Sequence, residues 1–161
     1  MSEERSMNAA SFPVREMRPD EADAVRSLIL DGLGEHWGTI DPALNGDLDE
    51  LGTGAADRLV LVLADGDRLV GTGTVVRRDD RCAEIARMSV AHDHRRAGLG
   101  RLLIEELVAT AQRWRVERVV LETTAAWTDV VHFYERSGFT LTHFADGPFG
   151  RDAWFELKLA P

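Results

Sequence analysis

Met88-Ser89-Val90-Ala91-His92-Asp93-His94-Arg95-Arg96-Ala97-Gly98-Leu99-Gly100-Arg101 joins an extended run to the strongest helical pattern in the chain. Upstream, Glu84 to Val90 reads as a strand. Downstream, Leu99, Leu102, Leu103, Leu107 and Ala111 recur at helical spacing, and the pattern runs to about Trp114. A helix start leaves several backbone N–H groups unpaired, and the helix dipole adds partial positive charge, so a phosphate or pyrophosphate can sit there. Gly98 and Gly100 remove Cβ atoms where a ligand approaches the backbone. Arg95, Arg96 and Arg101 add positive charge in an otherwise acidic chain. A Gly-x-Gly alone is better explained as the shaping of a tight turn. Two familiar phosphate loops are excluded: a P-loop ends in Gly-Lys-Ser or Gly-Lys-Thr, whereas Arg101 and Leu102 follow Gly100. A dinucleotide fingerprint requires a third small residue where Leu103 stands.

The flanks set the fold class. Leu59 to Leu63 and Leu69 to Val76 are rich in Val, Leu and Thr and are separated by Asp65-Gly66-Asp67, a hairpin signal. A charged turn, Arg78 to Arg81, leads into the strand before the loop, so three strands form an antiparallel meander. Nearer the start, Val14 to Met17 reads as a short strand. Pro19 and Asp20 then open a helix through Leu30. Gly32 to Gly54 reads as loop, with a helical turn or two around Leu44 to Leu51. Beyond the central helix, Val119 to Thr123 is a buried strand, and Trp127, Val130, Val131 and Tyr134 space like a helix that Gly138 stops. Phe139 to Phe144 and Ala153 to Leu159 form a closing strand pair around Asp146 to Gly150. The expected fold is α/β (α+β): a mixed, mostly antiparallel central sheet flanked by helices. Residues 1–12 are expected to be a flexible leader and 13–161 a single domain.

The net charge of -9 argues against broad nucleic-acid binding, which needs Lys and Arg to neutralise phosphates. No apolar run approaches the roughly 20 residues that span a bilayer, so no membrane partner is expected. Cys82 is the only cysteine, which excludes an intramolecular disulfide and points to the cytoplasm. It reads as a buried or idle thiol. His36, His92, His94, His132 and His143 show no metal-like pairing, and His92 and His94 read as surface residues or phosphate neighbours. No metal is expected.

The chain resembles the GNAT acetyltransferase superfamily. The family motif of Arg or Gln, two residues, Gly, one residue, then Gly or Ala is matched by Arg95, Gly98 and Gly100. Met88 and Val90 match the apolar-x-Val end of the preceding strand. Leu121-Glu122-Thr123, Phe133-Tyr134 and Gly138-Phe139 match the expected strand, helix and Gly-Phe downstream, so the likeness covers roughly Ala83 to Phe139. The resemblance implies a V-shaped split between the fourth and fifth strands that receives acetyl-CoA. Met88, Ser89 and Val90 would meet the pantetheine arm, and Arg95, Arg96, Ala97, Gly98, Leu99, Gly100 and Arg101 the pyrophosphate. Thr124 stands where many members carry Asn, so its cofactor contact is a departure from the pattern.

The implied reaction is acetyl transfer to a primary amine by direct attack in a ternary complex, as an N-acetyltransferase. It needs a base for the amine proton and an acid near the departing sulfur. The resemblance puts Tyr134 in the acid's place, against a plain core tyrosine. Glu84 precedes Met88 by four residues, the offset of the base glutamate in the histone-acetylating branch, against a solvated strand glutamate. Glu122 and water are the alternatives. His36, Trp37, Glu122 and Phe149 are candidates for the acceptor, a small-molecule or peptide amine, because loops over a rigid sheet set specificity. A non-catalytic acyl-CoA sensor is the competing reading, and the closing strand pair is a possible homodimer edge.

Overall fold

The computed structural model describes residues 12–37, 57–95, 97–148 and 150–160, without the side chains of 34–37. Residues 1–11 of the expected leader lie outside this set, as do the helical turns expected at Leu44 to Leu51. Strand β1 (Val14–Glu16) is followed by a 3-10 turn (Pro19–Glu21) and helix α1 (Ala22–Trp37). Strands β2 (Arg58–Asp65), β3 (Arg68–Arg77) and β4 (Cys82–Val90) come next. After the 3-10 turn His92–His94 come α2 (Leu99–Arg113), β5 (Arg118–Thr124), α3 (Thr128–Arg136), β6 (Thr140–Gly147) and β7 (Gly150–Lys158).

The strands form a seven-stranded mixed sheet in the order β1-β2-β3-β4-β5-β7-β6. The expected meander is present as neighbours β2, β3 and β4. The crossover through α2 makes β5 parallel to β4, as a helical connection between neighbouring strands requires. That parallel register is brief, Cys82–Glu84 against Arg118–Val120. Past Val120, β5 stays in register with β7 as far as Thr124 paired with Asp152. Beyond Glu84 and Val120 no further β4–β5 pairing occurs among the described residues. No helix among the described residues is long and apolar enough to cross a membrane.

The chain divides into two compact units, Met1–Thr74 with Arg87–Leu107, and Val75–Ala86 with Val108–Pro161. In the first, Val25, Ile29, Val60 and Val62 form a buried cluster against which Met17, Leu30, Leu33 and Leu69 pack. The apolar stripe of α2 is buried at Leu99, Leu103 and Leu107, as its spacing requires. Close packing explains two strand glycines: a Cβ on Gly71 would lie 2.9 Å from Leu63 Cδ1, and one on Gly73 2.7 Å from Leu107 Cδ1.

The expected end of α1 near Leu30 is corrected here, because the helix runs on to Trp37. Gly32, expected to open a loop, sits inside the helix. A Cβ there would lie 2.6 Å from Ser89 Oγ, so this glycine records a close helix-strand approach rather than a break.

In the second unit, Val119 and Leu121 of β5 and Ala153 and Phe155 of β7 alternate inward and are buried. Helix α3 ends in a full Schellman arrangement. Gly138 N–H donates to Glu135 O at 3.1 Å, Phe139 N–H donates to Tyr134 O at 3.1 Å, and Gly138 has φ +97°.

Candidate active site

The sequence-predicted residues fall into two sets, one per unit. In the first, Met88, Ser89 and Val90 end β4, and Arg95, Ala97 and Gly98 lead into α2, whose first turn holds Leu99, Gly100 and Arg101. Arg96 lies outside the described residues. Gly98 has φ +79°, a conformation costing a side-chain-bearing residue about 1–2 kcal/mol. Its carbonyl accepts the first intrahelical bond, from Leu102 N–H at 3.1 Å, so the N–H groups of Leu99, Gly100 and Arg101 precede that bond. This is the local geometry of an anion-receiving helix start.

Side chains around the loop are turned to other work. Ser89 Oγ donates to Leu28 O at 3.1 Å, so its hydroxyl proton is committed within the protein. Arg95 Nε donates to Val90 O at 3.2 Å and ties the loop back to the end of β4. His94, read from sequence as a surface residue or phosphate neighbour, is buried instead, with both ring nitrogens 2.9 Å from carboxylate oxygens. Ion pairing with Asp65 and Asp93 offsets the burial of a polar ring.

One feature of this region has no sequence signal. Arg87 has φ 56° within β4, immediately before Met88. A non-glycine residue in this region costs on the order of 1–3 kcal/mol and marks a place where a strand re-aims the residues that follow. Glycine or asparagine there would have advertised it.

The second unit carries the candidate acid and base. Tyr134 lies on α3 and is buried, its ring 6.2 Å from that of Phe139 and 6.1 Å from that of Phe155. Burial pushes the phenol's pKa well up, so Tyr134 carries its proton at neutral pH.

Glu84 is paired rather than free. Arg78 Nε and its terminal nitrogen each lie 3.1 Å from Glu84 Oε1, with the Glu84 side chain 14% exposed. That pair raises the Arg78 pKa, chiefly through the hydrogen bond, and Glu122 contributes to the same field. Glu122 is exposed on β5, opposite Trp154 of β7. Thr124 is half-buried at the end of β5. His36 and Trp37 fall in the last turn of α1 with side chains outside the description, and Phe149 is outside it altogether. No cluster of His, Cys, Asp and Glu suited to a metal occurs among the described residues.

Comparison with known proteins agrees with this fold. The family described as Acetyltransferase (GNAT) matches residues 22–139. The uncharacterized N-acetyltransferase YsnE of Bacillus subtilis is 32% identical over 91 residues, 55% of this chain and 59% of that protein. The chain thus spans little more than half the length of this curated relative. A GNAT-family acetyltransferase from Staphylococcus aureus Mu50 superimposes with TM-score 0.82 at 17% identity, covering 92% of this chain and 99% of that one. The PaiA N-acetyltransferase of Thermoplasma acidophilum, solved with coenzyme A, gives 0.76 at 14% identity over 92% and 99%. At such identities the structural likeness speaks for the fold, and the family match, covering most of the chain, speaks for descent: this protein belongs to the GNAT acetyltransferase family.

Proposed function

We propose that the protein is an acetyl-CoA-dependent N-acetyltransferase that acts on a primary amine. The observation that carries this is the loop from Arg95 to Gly100, which runs from a strand end into the start of α2 with Gly98 at φ +79°. Its amides would hold the pyrophosphate, and main-chain groups of Met88 to Val90 the pantetheine arm. A relative of the same fold has been solved with coenzyme A, which supports that choice of donor. In the overall reaction the amine nitrogen gains the acetyl group and loses a proton, and CoA leaves as its thiol.

Tyr134 supplies the proton to the departing sulfur. Burial keeps its phenol protonated at neutral pH, the state a proton donor must start from. The amine proton goes to Glu84, to Glu122 or to water. The lone cysteine, buried at Cys82, suits a reducing cytoplasm, and β6, the terminal strand of the sheet, is the candidate homodimer edge.

A second reading has one observation in its favour: the Arg78 pair engages the carboxylate of Glu84, which a non-catalytic acyl-CoA sensor could retain. One experiment separates the two. Acetyl-CoA is incubated with a panel of amines, amino acids, aminoglycosides and peptides, and free CoA is measured. Release with at least one amine supports the enzyme; cofactor binding without release from any amine supports the sensor.

A further inference from the structure

His94 closes the 3-10 turn His92–His94 that separates β4 from Arg95, and it is 7% exposed. Its Nδ1 lies 2.9 Å from Asp93 Oδ1, and its Nε2 lies 2.9 Å from Asp65 Oδ2. Asp65 is the last residue of β2 and Arg68 the first of β3. Arg68 grips Asp93 through both carboxylate oxygens, at 2.7 and 3.0 Å. The Phe12 ring stands edge-on to the imidazole at 5.9 Å.

Hydrogen-bond arithmetic decides the protonation state. A neutral imidazole has one N–H and one bare nitrogen, whereas a carboxylate only accepts. Two carboxylates on the two nitrogens therefore use both N–H groups of the imidazolium. A neutral ring would set a lone pair against a carboxylate at 2.9 Å. The charged groups facing the ring are Asp93 from its own turn, Asp65 from β2 and Arg68 from β3, and the bonds from Asp93 and Asp65 outweigh both burial and Arg68 in raising its pKa.

We propose that protonated His94 is a positioning residue for the cofactor loop: it clamps the β2–β3 hairpin to the residue before Arg95, and loss of its proton weakens acyl-CoA binding without altering acyl transfer. This rests on the cofactor reading of the loop given above. The clamp works at the base of the Arg95–Gly100 segment, which the Arg95 to Val90 bond holds from the other side. Because the folded pKa lies above the usual value of 6.5, the clamp is intact below pH 6.5 and is lost as pH rises through the folded value.

The test is CoA affinity by titration calorimetry from pH 6 to 9 for the wild type and His94→Gln, with His94 Cε1–H followed by NMR. The variant divides out the titration of the nucleotide itself. The expected wild-type Kd, relative to the variant, rises roughly tenfold over this range, the loss of about one charge-assisted hydrogen bond. Its inflection should coincide with the NMR pKa, and kcat at saturating acetyl-CoA should stay level between the two proteins. Asp65→Asn, a change at the exposed end of β2, removes one acceptor and should move the inflection to lower pH; it also serves if His94→Gln fails to fold. A pH-independent Kd ratio, or an inflection unmoved by Asp65→Asn, overturns the proposal while CoA binding still stands. No CoA binding by the wild type at any pH overturns the cofactor reading and this proposal together.

Discussion

The two units present chemistry in opposite ways. Around the loop of the first, nearly every informative side chain is engaged internally: Ser89 with Leu28, Arg95 with Val90, His94 with two carboxylates. The main chain there is shaped by Gly98 and by the left-handed Arg87. In the second, backbone is absorbed by strand registers and the Schellman end of α3, and the candidate group is a side chain, the Tyr134 hydroxyl. The difference teaches where to expect tolerance. A main-chain site fails when the backbone or its clearance changes, whereas a side-chain site fails by loss of one functional group with the fold intact.

Substitution at Gly98 tests the first half of this contrast most severely. Gly98→Asp adds both a Cβ at φ +79° and a negative charge, so acetyl-CoA should no longer raise the melting temperature, an effect that mass action otherwise ensures. Gly98→Ala separates the two causes. It carries the backbone cost of about 1–2 kcal/mol without the charge, and calorimetry should find acetyl-CoA binding weakened rather than lost. Undiminished binding by Gly98→Asp would remove the main-chain site from the argument.

Tyr134→Phe tests the other half. The ring and its contacts with Phe139 and Phe155 remain, so the protein should fold and bind acetyl-CoA normally, with kcat reduced by on the order of 10 to 1,000-fold. Equal turnover under conditions where chemistry is limiting would make the residue a packing tyrosine.

A smaller effect is expected at Glu84. The Arg78 pair is partly exposed, and such pairs contribute about 0–1 kcal/mol to stability; Glu84→Gln should therefore leave the melting temperature nearly unchanged. If the carboxylate is the base, the loss of kcat/KM is greatest at low pH, where free amine is scarce and a positioned acceptor for the proton matters most. A pH profile parallel to the wild type would leave Glu84 as Arg78's partner and shift attention to Glu122 or water. Least of all should happen at Cys82, whose thiol pKa burial pushes up. A disulfide reagent should label it only as fast as the protein unfolds, and rapid labelling of the native protein would contradict its burial.

Much of this was legible in the amino-acid sequence because it depends on periodicity and on residues with special backbone freedom. The stripe of Leu99, Leu103 and Leu107, the Asp65-Gly66-Asp67 hairpin, Gly98 before the helix and Gly138 after α3 each announce a local geometry, and their spacing announces the family. Three-dimensional structure alone decided what depends on partners distant along the chain. Gly32 looks like a helix breaker until Ser89 is found against it, and His94 looks like a surface residue until Asp65, 29 positions earlier, closes on its second nitrogen. Arg87 shows nothing of its left-handed backbone, since arginine has no preference for that region that would announce it. Local conformation is encoded by short-range sterics and hydrogen bonding that a reader can find in adjacent residues, whereas burial, pairing and protonation are set by groups that only the folded chain brings together.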